Sequence, residues 1–244
     1  DIWLERYGGW SLIILFSAIP VFALMLSGGF WTNTGSWYGI ASSLGKMAGL
    51  VGFVLYAINM VLSIRRHWLE RFFNGLNRVY IAHHLTGGIA LILLAIHPVL
   101  LAVRYIEPSA MSTLRLAALA LLPRAITLNE NFQVVQQQVA INFGFIAFTG
   151  MVVLLILTFF IKLPYRVWLF THKFLGPAFF FAALHVLFIS SDVDRMPLLK
   201  LYMLFWAVVG LGAFTYRTLF GSIFVRRYPF QVTKVALLPK GVVS

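Results

Sequence analysis

The chain contains no cysteine. Within these 244 residues that excludes a disulfide, an iron–sulfur cluster, a thiolate metal ligand and a covalently attached c-type heme. Any metal or heme must therefore be held by His, Met, Tyr or carboxylates. Charge is scarce as well: Asp, Glu, Lys and Arg make up 11% of residues, against about 25% in a typical soluble domain. Acids are rarest, seven in all against 19 Lys and Arg. An initiator Met is also lacking. The chain begins at Asp1, so a preceding segment is expected, and a signal peptide is neither argued for nor against.

Apolar residues fill the space that charge leaves, at 61% of the chain. Six segments read as membrane-spanning helices: Trp10–Gly28, Leu44–Ile64, Val79–Val103, Val139–Ile161, Val167–Ile189 and Leu198–Phe220. Each approaches or exceeds the roughly 20 residues that cross about 30 Å of hydrocarbon. The expected fold class is an all-α membrane protein, a six-transmembrane-helix bundle crossing a cell inner membrane or plasma membrane as a multi-pass protein in contact with lipid.

The net charge of +12 would suggest nucleic acid in a soluble protein, but topology accounts for it here. One side of the six spans collects 13 Lys/Arg and three acids, mainly Arg65, Arg66, Arg71 and Arg78 between spans two and three, Lys162, Arg166 and Lys173 between spans four and five, and Arg217, Arg226, Arg227, Lys234 and Lys240 at the end. The other side has six Lys/Arg against four acids. Basic loops stay in the cytoplasm, so both termini are expected there and no nucleic-acid partner is needed.

Two stretches fall outside the spans. The outer loop from Glu107 to Gln138 contains an apolar run, Thr113–Leu122, short enough to be an interfacial helix. Near the C-terminus, Phe230-Gln231-Val232-Thr233-Lys234-Val235 alternates as a strand does and suits a soluble domain better than a membrane helix.

Six histidines occur. His67 falls in a basic loop and reads as a solvated side chain. The other five lie in spans three and five, where an unpartnered polar group costs on the order of a few kcal/mol. The two spans share a pattern. Span three reads His83-His84-Leu85-Thr86-Gly87 and then His97; span five reads His172-Lys173-Phe174-Leu175-Gly176 and then His185. Both spans run in the same direction, so the first histidines share one depth and the second histidines another. At 1.5 Å per residue the two depths lie about 20 Å apart. A step of 14 residues returns to within about 40° of the starting face. The 13-residue step in span five fits less well, and Pro177 within it is expected to bend the backbone.

Two imidazoles per level, with no Asp or Glu in either span, are too few for a zinc or iron ion held by protein alone. A heme brings four nitrogens of its own and needs only two axial ligands. The reading is two stacked b-type hemes, with Gly87 and Gly176 expected to leave room for flat macrocycles. His84 competes with His83: His84/His97 has the 13-residue spacing of span five, whereas alignment on the glycines, both at i+4, favours His83.

With these residues in view, the chain resembles the ferric reductase and NADPH oxidase membrane-domain family, especially its bacterial flavin-linked members. The resemblance rests on Leu44-Gly45-Lys46-Met47-Ala48-Gly49-Leu50, on Trp68-Leu69-Glu70-Arg71-Phe72 and above all on the histidine pairs, and it covers most of residues 40–230. It implies an oxidoreductase carrying electrons from NAD(P)H through FAD, then an inner heme on His83 and His172, then an outer heme on His97 and His185, to an external acceptor, ferric iron or molecular oxygen. It implies a six-helix heme domain over residues 1–227 and, from 228 to 244, the start of a cytoplasmic FAD-binding domain whose remainder, with NAD(P)H, lies beyond this chain. Lys46 stands where the family often has a basic residue, suited to a heme propionate or an anionic acceptor. Arg78, His84 and Lys173 are propionate candidates on the inner side. Oxygen-reducing members carry a further histidine one turn past the outer ligand of span three; Leu101 stands there and weighs against oxygen chemistry. The competing readings are a heme-bearing anchor that feeds a separate partner protein, and a transporter using intramembrane histidine, which predicts no heme.

Overall fold

The computed structural model describes residues 2–28, 35–103, 111–189, 192–220, 237–238 and 242–243. Its long elements are helices: α1 (Ile2–Leu26), α2 (Trp37–Leu62), α3 (His67–Phe73), α4 (Leu76–Val103), α5 (Met111–Ala120), α6 (Phe132–Phe159), α7 (Tyr165–Lys173), α8 (Leu175–Phe188), α9 (Asp192–Arg195) and α10 (Pro197–Thr215), the last continuing into a π-helical turn, Tyr216–Phe220. Counting α7 with α8, and α10 with its π turn, six helical segments are long and apolar enough to cross a membrane. They match the six expected spans, and the short apolar run of the 107–138 loop is helical, as α5.

The ends of the spans follow local chemistry. Ser36 caps α2 by accepting a hydrogen bond from the Gly39 amide at 3.2 Å, so that helix starts seven residues before the expected boundary. Asn131 caps α6 in the same way, through the Val134 amide at 3.1 Å. After α2 the chain turns at Arg65, which holds a left-handed φ of 56°, and α3 ends on Asn74 (φ 54°) and Gly75 (φ 113°), with the Gly75 amide donating to Glu70 O at 3.0 Å.

Span five departs from the expectation of one continuous helix. It breaks at Phe174, whose amide donates back to Thr171 O at 3.0 Å. Pro177 is the third residue of α8. It has no N–H to bond the Lys173 carbonyl four residues earlier, so a helix running through this point would lose that bond. The Tyr56 hydroxyl of α2 braces the restart by donating to Leu175 O at 2.7 Å.

The helices α2 and α4 form one tightly packed pair, α6 and α8 a second, while α2 also carries α1 and α10. The core is centred on α2, where Phe53, Val54, Tyr56, Ala57 and Ile58 are buried. Phe53 stacks on Phe179 at 5.1 Å and 18°, and Tyr56 meets Phe179 edge-on at 5.0 Å. Of the Phe179–Phe181 run, Phe179 fills this core, Phe180 is exposed and Phe181 packs near Phe143. The run serves the core and the bundle surface. Apolar residues left exposed form a stripe on α4, with Ile81, Leu85, Ile92, Ile96 and Val99. A soluble protein would bury such a stripe; lipid makes it stable.

In lipid, helices associate through close approach and interhelical hydrogen bonds. Gly45, Gly49 and Gly52 form the α2 surface against α4: an added Cβ at Gly45 would lie 3.0 Å from Leu100 Cβ, and at Gly52 2.9 Å from Leu94 Cγ. The counterpart on α6 is Ala140, Gly144 and Ala147, at the same spacing of four and then three residues.

The strand-like stretch from Phe230 to Val235 lies outside the described residues. Just beyond it Leu237–Leu238 pairs antiparallel with Val242–Val243.

Candidate functional site

Helix α4, carrying His83 and His97, and the broken span five, carrying His172 on α7 and His185 on α8, bring the histidines into two pairs. The rings of His83 and His172 lie 6.4 Å apart, centroid to centroid, at 62°. Those of His97 and His185 also lie 6.4 Å apart, at 73°. The break at Phe174 resets the helical phase between His172 and His185, which answers the awkward 13-residue step. The ring facing His172 is that of His83; His84 is exposed and meets His83 at 5.9 Å, edge to face.

Three of the four rings are oriented from behind by backbone carbonyls. His97 Nδ1 donates to Gly45 O of α2 at 2.7 Å, and His185 Nδ1 to Ala140 O of α6 at 2.7 Å. His83 Nδ1 donates to Asn59 O of α2 at 3.2 Å. A carbonyl can only accept, so these rings carry their proton on Nδ1 and keep the Nε2 lone pair free. This is the outer support that metal-binding histidines usually have. His172 is held differently: among the described residues its Nδ1 has the Thr158 hydroxyl as hydrogen-bonding partner, at 3.5 Å.

The approach that places the His97 and His185 rings requires glycine behind them. A Cβ on Gly49 would sit 2.6 Å from His97 Nδ1, and one on Gly144 2.7 Å from His185 Nδ1. These glycines, with Gly45 and Ala140, were not assigned a role from sequence, although the shared four-then-three spacing of small residues was present to be read. The glycines that were singled out do something else. A Cβ on Gly87 would meet the Asn59 side chain at 3.0 Å, and one on Gly176 would run into the Phe214 ring. Both glycines therefore serve close helix packing. Asn59 was missed as well: its backbone oxygen takes His83, and its side-chain oxygen accepts from Thr86 Oγ1 at 2.9 Å. A lone Asn inside an apolar span was the available signal.

The basic candidates are spread along the bundle. Lys46 follows Gly45 directly, next to the carbonyl that holds His97, and is half-buried. At the other level Lys173 is exposed at the end of α7, and Arg78 is half-buried in the first turn of α4. Arg65, not singled out from sequence, places its guanidinium over the Tyr80 ring at 4.7 Å near this same end. His67 is exposed and pairs with Glu70 at 3.2 Å. Leu101 packs against Gly45.

Two imidazoles meeting on one metal ion at about 2.0–2.1 Å, with each ring centre roughly 1.1 Å behind its nitrogen, place their centroids about 6.3 Å apart. Both pairs have that separation. Among the described residues no three His, Cys, Asp or Glu side chains gather, so each level offers an ion two protein ligands. The donor set fits a metal that already has an equatorial plane of its own, as heme iron does.

Residues 48–183 match the family described as ferric reductase like transmembrane component. The match takes in His83, His97 and His172 and stops two residues short of His185. No curated protein matched the chain in a sequence comparison. The family match spans more than half of the 244 residues and coincides with the helices that pair the histidines, so the chain belongs to the ferric reductase-like transmembrane family, whose general role is redox, the transfer of electrons across a membrane.

Proposed function

We propose that this chain is the membrane part of an NAD(P)H-dependent oxidoreductase that moves electrons outward through two b-type hemes. His83 and His172 would hold the cytoplasmic-side heme, and His97 and His185 the heme nearer the outer face. The observation that carries this reading is the repeated 6.4 Å ring separation, with three of the four Nδ1 atoms committed to backbone carbonyls. When bound, each heme supplies a reversible one-electron ferric/ferrous couple.

The residues contribute binding and orientation. His83 with His172, and His97 with His185, would hold a heme at each level through two imidazoles, which would suit it to electron transfer rather than to binding substrate at the iron. The carbonyls of Gly45, Ala140 and Asn59 keep the rings from turning and raise the basicity of Nε2. Gly49 and Gly144 bring α2 and α6 close enough for two of those bonds to be short. The roughly 20 Å between the levels lets two centres divide the thickness of the hydrocarbon. The excess of Lys and Arg at the His83/His172 end orients that end toward the cytoplasm. There a FAD- and NAD(P)H-binding dehydrogenase unit of the same polypeptide would deliver electrons, with residues 228–244 as its start. Lys46 at the other end suits a heme propionate or an anionic acceptor, Arg78, His84 and Lys173 suit propionates on the cytoplasmic side, and the acceptor is ferric iron or oxygen. The alternative, a heme-bearing anchor serving a separate partner protein, uses the same four histidines.

Purified protein should show a Soret band and, by pyridine hemochrome assay, two b hemes per chain. A preparation with no Soret absorption after expression with ample heme would remove both heme readings and favour transport.

A further inference from the structure

Among the described residues, His172 is the one ring of the four whose Nδ1 has no backbone acceptor. Its nearest polar partner is Thr158 Oγ1 at 3.5 Å, at the limit of a hydrogen bond, and that hydroxyl already donates to Leu154 O at 2.8 Å. The backbone around His172 is also the least anchored. It lies on the last turn of α7, a nine-residue helix without a buried residue, just before the break at Phe174. The torsion that sets an imidazole plane is broad, so a ring in this position would turn freely unless something else held it.

The indole of Trp168 does so. It lies one turn earlier on α7 and stacks on His172 at 5.1 Å and 20°, the most nearly parallel ring contact at either level. Tyr165 stacks on Trp168 in turn, at 5.8 Å and 26°, so three rings run along one face of α7. Rings at i and i+4 meet on many helices. What sets this pair apart is the near-parallel geometry, together with its place beside the one paired histidine that has no backbone carbonyl behind its Nδ1 among the described residues. We propose that Trp168 is the positioning residue of His172, fixing its ring plane by stacking and so setting the orientation of one axial imidazole at the His83/His172 site. The proposal rests on the heme reading above.

The test uses the full chain carrying Trp168→Leu, Trp168→Tyr or Thr158→Val. The readouts are heme count, EPR g values of the two low-spin ferric centres and their two midpoint potentials. In W168L one centre should change its g anisotropy and potential while the other stays at its wild-type values. W168Y, which keeps a flat ring, should return the altered centre toward wild type, and T158V should leave both centres unchanged. Wild-type spectra and potentials in W168L would overturn the proposal, as would equal disturbance of both centres, which marks general loosening. If W168L does not accumulate, T158V still decides: a shift there assigns the ring to Thr158. A wild-type protein without two low-spin hemes refutes the heme reading itself, an outcome distinct from an unresponsive W168L.

Discussion

Substitution of Gly49 by Ala tests the site through the packing behind His97 rather than through a histidine itself. The new Cβ would lie 2.6 Å from His97 Nδ1 and 2.8 Å from Cε1, too close for either atom to stay in place. Helix α2 is the most enclosed helix of the bundle, so the imidazole has to yield. Turning it breaks the 2.7 Å bond to Gly45 O. Leaving that carbonyl and the Nδ1–H unsatisfied in an apolar setting costs about 1–3 kcal/mol. Loss of an outer-shell partner typically weakens metal binding about 10–100-fold, an effect of the same size. The assay is heme release to a scavenging apoprotein, followed in the Soret band. In Gly49→Ala one of the two hemes should leave roughly 10–100 times faster, with the other unchanged. Gly144→Ala, which crowds His185 Nδ1 from the opposite side at 2.7 Å, should speed release of the same heme. Because both changes act on one site, the double variant should fall short of the product of the single effects. Gly88→Ala is the control, since nothing lies within 4 Å of its added Cβ. Release kinetics in Gly49→Ala that match those of Gly88→Ala would refute the argument that close approach of α2 orients His97.

Other consequences can be measured in the same preparation. His97→Ala should lose one heme and leave the other reducible by dithionite; two hemes retained would undo the ligand assignment. His83→Ala should lose a heme while His84→Ala keeps both, since His83 is the ring that faces His172; the opposite result would restore His84 as the ligand. Asn142 holds the segment before α6 by accepting from the Arg124 amide at 2.6 Å and donating to Arg124 O at 2.9 Å. Asn142→Leu should therefore speed amide hydrogen exchange at Arg124 by roughly fivefold or more, as expected for loss of about 1–3 kcal/mol of part-buried hydrogen bonding, without changing the heme count.

Much of this protein was legible as a string because lipid makes simple demands. The absence of water forces long uninterrupted helices, so Leu76–Val103 and Phe132–Phe159 appear in the sequence as apolar runs. The rigid rise of a helix turns the intervals from His83 to His97 and from His172 to His185 into depths. Boundaries were less legible, because Ser36 and Asn131 extend α2 and α6 outward through caps whose hydrogen bonds depend on backbone geometry. Span five was read as continuous, since Pro177 signalled a disturbance but gave no indication that the helix would end three residues before it.

Composition and periodicity alone thus determined six spans, two histidine levels and the match in depth between spans three and five. The tertiary structure decided which face of each helix meets which neighbour. It set His83 rather than His84 opposite His172, placed the carbonyls of Gly45, Ala140 and Asn59 behind three rings, and assigned Gly49 and Gly144, not Gly87 and Gly176, to the histidines. Those outcomes depend on contacts between residues dozens of positions apart on different helices. Helical periodicity fixes a residue's depth and its angle on its own helix, and only packing fixes what that angle faces.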